Sequence, residues 1–151
     1  MLTMWREYAA IPLRIALAVI FFVHGARTLL GIFGGDGLAR TGDYLASYGI
    51  VPGELWAIIA GLLGLFGGIA LLIGLFTRWI AGALAIEMIV SIVAINLRAG
   101  FSATAGGVEF PLILLGSLLS LVLLGPQHYA VDEHLPGWAG DLSSPHRKAH
   151  A

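Results

Sequence analysis

The sequence predicts an all-α integral membrane protein: a four-helix bundle with both termini on the cytoplasmic side. Three observations lead there. Of 151 residues, 58% are hydrophobic and only 11% are charged, 8 Lys or Arg and 9 Asp or Glu, against about 25% charged in a typical soluble domain. Mean hydropathy is +0.91. The apolar residues gather into four runs of helical length. A soluble domain this small has too much surface for its volume to hide that apolar area, which excludes an ordinary cytosolic enzyme; a disordered chain is excluded with it. A net charge of −1 offers no basic patch for a phosphate backbone, so no nucleic-acid partner is expected. Cysteine is absent. That excludes disulfides, thiolate zinc sites, iron–sulfur clusters and covalently attached haem bound by this chain.

A spanning helix needs about 20 mostly apolar residues. The four runs are Ile11 to Ile32, Leu55 to Phe76, Arg78 to Leu97 and the shorter Glu109 to Leu124. The first is not a cleavable signal peptide: Arg14, His24 and Arg27 interrupt it and no small-residue cleavage site closes it. Residues 1–135 form one four-helix transmembrane domain, followed by a polar, flexible tail at 136–151. Arg6, Arg14, Arg78, Arg147 and Lys148 collect on one side, which the positive-inside rule makes cytoplasmic; Arg40 and Arg98 lie on the other. The loop Phe33 to Glu54 is then external. Within it, Thr41 is placed to cap a short helix that Gly49 and Pro52 end, with Tyr44, Leu45 and Tyr48 at helical spacing suited to lipid headgroups. It reads as a lipid-anchored lid or as a flap over an outward-opening site.

Gly61, Gly64, Gly67 and Gly68 make the second run glycine-rich, and Gly64-xxx-Gly68 is a small-xxx-small pattern that lets backbones approach closely. The pattern serves packing inside the bundle or contact with another chain. Four of the five histidines, His128, His134, His146 and His150, are scattered near the C-terminus. A metal site needs three or four convergent ligands, so no metal is expected.

Ionisable groups inside a span cost roughly 2.5–3.5 kcal/mol each and need a reason. Arg14, one turn from the cytoplasmic end, is expected to snorkel to the headgroups. His24 and Arg27 share a face of the first span with Thr28 and Gly31. Arg27 is expected to pair with Glu109, since guanidinium and carboxylate match in geometry. Glu87 is near the middle of the third span. Arg98 lies about 16 Å further along the axis, too far to pair with it. A contact with His24 is open on depth alone, as is a neutral Glu87. Asn96, on the opposite face, needs its own partner. The candidate site is therefore a polar cluster of His24, Arg27, Arg98 and Glu109 with Glu87 as a deeper satellite: a structural charge network, or a ligand or proton site. No catalytic residue is assigned.

Several segments match a known pattern. They are His24-Gly25-Ala26-Arg27, Phe33-Gly34-Gly35, Gly67 to Arg78, Gly106-Gly107-Val108-Glu109-Phe110, and Gly125-Pro126 leading to Asp132. In this order and spacing, over roughly Leu13 to Leu135, the sequence resembles the DoxX family of small four-helix membrane proteins, related to the DoxD subunit of thiosulfate:quinone oxidoreductase. It departs from the family at Gly64, where a Glu is frequent, and at Asn96, where a His is frequent. The resemblance implies a multi-pass protein of a bacterial or archaeal inner (plasma) membrane. It also implies an accessory or quinone-facing subunit of a membrane oxidoreductase complex rather than a self-sufficient enzyme. Quinone is the cofactor this brings in; lipids, other subunits of a membrane complex or further copies of the chain are the partners. Two alternatives stand beside it: a non-catalytic assembly subunit packing against larger membrane proteins, and a small-solute or proton pathway through Glu87 and His24.

Overall fold

The computed structural model describes Tyr8, residues 10–125 and Val131. The tail at 136–151, the C-terminal histidines and Asp132 lie outside the described residues. Among residues 10–125 five α-helices follow in order: α1 (Ala10–Leu30), α2 (Gly37–Ser47), α3 (Gly53–Ile73), α4 (Thr77–Ala94) and α5 (Glu109–Leu124). Two 3₁₀ turns, Asn96–Ala99 and Ala103–Ala105, join α4 to α5. Three of the helices, α1, α3 and α4, are long and apolar enough to cross a membrane; α5 is apolar but has 16 residues, about 24 Å against a hydrocarbon core of about 30 Å. The molecule is a membrane helical bundle.

The long helices form a ring. α1 packs chiefly on α3, α4 chiefly on α5, α3 bridges to α4, and α1 touches α5 more lightly, so that α1 and α4 occupy opposite corners. Leu17 and Phe21 of α1, Leu71 of α3, Leu84 and Met88 of α4, and Leu114, Leu118 and Leu121 of α5 fill the centre. The exterior is equally apolar: Val19, Phe66, Ile86 and Val93 are each more than half exposed, which suits lipid and not water.

Glycine sets the α1–α3 distance. A Cβ on Gly25 would fall on the backbone of Leu65 and Gly61, and one on Gly68 would lie 2.6 Å from the Phe22 nitrogen. Gly64 faces the Phe21 carbonyl and Gly25, and Gly61 faces Leu29 and Thr28. Gly67 points the other way, toward Ile80 and Leu84 of α4. Gly61, Gly64 and Gly68 are thus consumed inside the chain and are not open to another protein.

Two arginines clasp helix ends. Arg14 does not snorkel away from the bundle: it is 4% exposed. Its Nε donates to the Leu71 carbonyl (3.1 Å) and its Nη2 to the Leu72 carbonyl (3.3 Å). The last turn of a helix carries unpaired carbonyls and partial negative charge, and a cation there satisfies both. Arg78 repeats the arrangement on the other pair, with Nη2 donating to the Leu123 carbonyl of α5 (3.4 Å). Between these clasps α3 ends at Gly74 in the left-handed region (φ 72°), a turn that glycine makes without a Cβ penalty.

The loop between α1 and α3 holds a helix, but its start differs from expectation. α2 begins at Gly37, four residues before Thr41, and Thr41 Oγ1 donates to the Gly37 carbonyl (2.8 Å) instead of capping. The Gly34–Gly37 break is short enough for the helix to begin at once. α2 crosses the start of α3 where Gly42 meets Gly53 backbone to backbone.

Candidate functional site

His24 and Arg27 are one turn apart on α1, and both are exposed on the outside of the bundle. Gly25, between them, is buried against α3, and that contact aims His24 at the opposite seam. There α1 and the first turn of α5 diverge. An open cleft of about 320 Å³ lies between them, lined by Val19, Ile20, Val23, His24, Arg27 and Phe110. Four apolar side chains make its walls; an imidazole and a guanidinium make one end.

Arg27 does not pair with Glu109. Its Nη2 donates to the Gly34 carbonyl (3.4 Å), because the chain after α1 folds straight back: Gly35 lies over the Arg27 backbone so closely that a Cβ there would sit 2.5 Å from it. The carboxylate of Glu109 is used in its own loop, where Oε2 accepts from the Ala103 N–H (3.0 Å). Arg40 of α2 does form an ion pair, with Asp36 at 3.6 Å, exposed and worth little there.

The Gly-Gly-x-Glu-Phe segment folds the α4–α5 connection. Gly107 packs on the Gly100 carbonyl, the Val108 and Glu109 N–H groups donate to the Gly100 and Phe101 carbonyls, and Glu109 closes the 3₁₀ turn. Asn96 finds its partners here: Nδ2 donates to the Gly106 carbonyl (2.7 Å) while Oδ1 accepts from Ser91 Oγ (2.9 Å). The loop in turn fixes Phe110 at the cleft.

Arg98 belongs to another group. Its guanidinium lies 5.5 Å from the centre of the Tyr48 ring, which sits 5.0 Å from Tyr44, a cation–π contact at the end of α2. Burial, then the neighbouring Tyr48, pushes the Tyr44 phenol up to about 12, so Tyr44 stays neutral. Glu87 is separate again. It follows Ile80 by seven residues and Leu84 by three on the face of α4 that meets Gly67 of α3. Half-buried on that seam, it has a fully buried Oε2 with no hydrogen-bond partner. The five site residues expected from sequence therefore divide. His24 and Arg27 share one cleft, Glu109 braces its far wall, and Arg98 and Glu87 lie elsewhere; no contact joins Glu87 to His24. Sequence reasoning missed Phe110 and the apolar walls. The available signal was Phe110 directly after Glu109, and Ile20 and Val23 at helical spacing from His24 and Arg27.

No solved structure matches this chain. The DoxX family model matches residues 9–97. The Bacillus subtilis (strain 168) protein named "Putative oxidoreductase CatD" is 32% identical over 126 residues, covering 83% of this chain and 86% of the relative. The family match takes in His24, Arg27 and the glycine-set α1–α3 pair, and the relative's alignment is long enough to cover nearly the whole bundle: the chain belongs to the DoxX family.

Proposed function

We propose that this protein is the quinone-facing accessory subunit of a membrane oxidoreductase complex in a prokaryotic plasma membrane, and that the α1–α5 cleft takes the quinone. The cleft itself carries the reading. Its volume of about 320 Å³ falls at the lower end of small-molecule sites. Its apolar walls suit a ring and the start of an isoprenoid tail, and its two N–H-bearing side chains suit carbonyl oxygens. A bound quinone supplies two-electron, two-proton carrier chemistry. The Arg27 guanidinium holds a carbonyl oxygen and favours negative charge on it. His24 donates or accepts a proton at Nδ1 or Nε2. Val19, Ile20, Val23 and Phe110 exclude water from that end. The sequence has no thiol, and in this reading electrons come from a bound non-thiol cofactor or from a partner subunit. The oxidoreductase name of the relative supports the same class.

The test is binding of a short-chain ubiquinone or menaquinone analogue to the purified protein in lipid nanodiscs. His24→Ala should weaken binding about tenfold, the loss of one hydrogen bond of about 1.4 kcal/mol. Equal affinity in the variant, or no binding to the wild type, overturns the proposal. A purely structural subunit is the second reading. It is favoured by Gly82 and Gly116, where a Cβ would meet nothing within 4 Å, which leaves room for a partner helix.

A further inference from the structure

We infer that His24 and Glu87 meet between two copies of this chain, so that the neighbour's α4 walls the open side of the α1–α5 cleft. Both side chains are polar groups in helices long and apolar enough to span a membrane, and neither has a hydrogen-bond partner among the described residues; Glu87 is half-buried, with Oε2 shut inside the α3–α4 seam, so its other carboxyl oxygen is the one that faces a neighbour. Hydrocarbon provides no partner either, and groups so placed find one another. Imidazole and carboxyl are complementary as donor and acceptor in either protonation state.

The arginine clasps supply a ruler for depth. Arg14 is bonded to Leu71 and Leu72 at the end of α3, and Arg78 follows through the tight turn at Gly74, so both mark the same end of the bundle. His24 lies ten residues beyond Arg14 and Glu87 nine beyond Arg78, about 15 Å and about 14 Å up their helices. The two groups are thus level. Within one chain no contact joins them: α1 and α4 stand at opposite corners of the ring. Across two copies of like orientation they can meet, and the helices that carry them are then parallel.

The surroundings fit. Beside Glu87 the outer face of α4 carries Ile86 and Val90, both exposed, with small Ala83 one turn below. Beside His24, α1 presents Val19 and Val23. Because the two seams are on opposite sides of one chain, the contact is head-to-tail and not two-fold. The inference uses the cleft described above but not the identity of what fills it.

The chain has no cysteine, so the test is clean. Ile20 and Ala83 are each one turn before His24 and Glu87 and leave both in place. Full-length Ile20→Cys and Ala83→Cys variants carrying different tags are co-expressed, and membranes are treated with a short bis-maleimide without added quinone. The mixed 20/83 pair should crosslink at least tenfold more than 20/20 or 83/83. Adding Glu87→Ala should remove the product and Glu87→Gln should keep it. Equal yields from all three pairs, no crosslink, or a product indifferent to Glu87→Ala overturns the inference. Since no quinone is present, this outcome and that of the quinone-binding experiment are independent.

Discussion

The two helical hairpins of this bundle do the same job with different means. In α1–α3 the backbones touch: Gly25 and Gly68 leave no space for a Cβ and Gly64 leaves little, and Arg14 is sealed into the end of the pair with two hydrogen bonds. In α4–α5 the side chains touch: Leu84, Met88, Leu114, Leu118 and Leu121 interdigitate, while Gly82 and Gly116 face outward with open space. Without a hydrophobic drive between helices in lipid, close approach and hydrogen bonds must supply the association energy. The first hairpin is built for that, and it is the one that carries His24 and Arg27. A glycine in a membrane helix therefore has no fixed meaning; the face it occupies decides.

One substitution type breaks the comparison most sharply. Gly68→Ala places a Cβ 2.6 Å from the Phe22 nitrogen and 2.7 Å from the Ala18 carbonyl. Neither backbone atom can swing aside, so the helices must part, at a cost of about 2–3 kcal/mol. Reversible unfolding in mixed micelles should show the loss. Arg14→Met comes next. It leaves the Leu71 and Leu72 carbonyls without these donors, and unfolding should show a cost of about 2 kcal/mol. Arg78→Met, which removes a single 3.4 Å bond at a more exposed end, should cost about 0.5–1 kcal/mol. Equal costs at the two positions would mean that the clasps are equivalent and the hairpins less different than their geometry indicates. The smallest effect has the opposite sign. Gly82→Ala and Gly116→Ala meet no neighbour within 4 Å and should leave the isolated protein unchanged or raise its stability by up to about 1 kcal/mol through helix propensity.

The helices were legible because length and hydropathy alone specify a span. The runs read from sequence and the observed α1, α3, α4 and α5 differ by no more than three residues at either end. Partners were less legible, because charge matching ignores the backbone. Arg27 and Glu109 looked like a pair, yet each is taken by a carbonyl or N–H a few residues away, brought there by glycines at 34–35 and 106–107. Arg14 looked free to snorkel because its acceptors lie 57 and 58 residues further on. Face arithmetic on one helix located His24 and Glu87 correctly on α1 and α4, but no single-helix periodicity reveals that those helices stand at opposite corners. Thr41 had cap chemistry in the right loop, while the break at Gly34–Gly37 let α2 start a turn earlier.

The light contact between α1 and α5 has a consequence for how this protein meets any small molecule. The cleft runs from Arg27, in the last turn of α1, down to Val19, two turns deeper on a helix long and apolar enough to cross a membrane. Occupancy there follows mole fraction in the bilayer rather than molarity in buffer. A lipophile that partitions strongly can saturate a weak site, and detergent that dilutes it can empty a strong one.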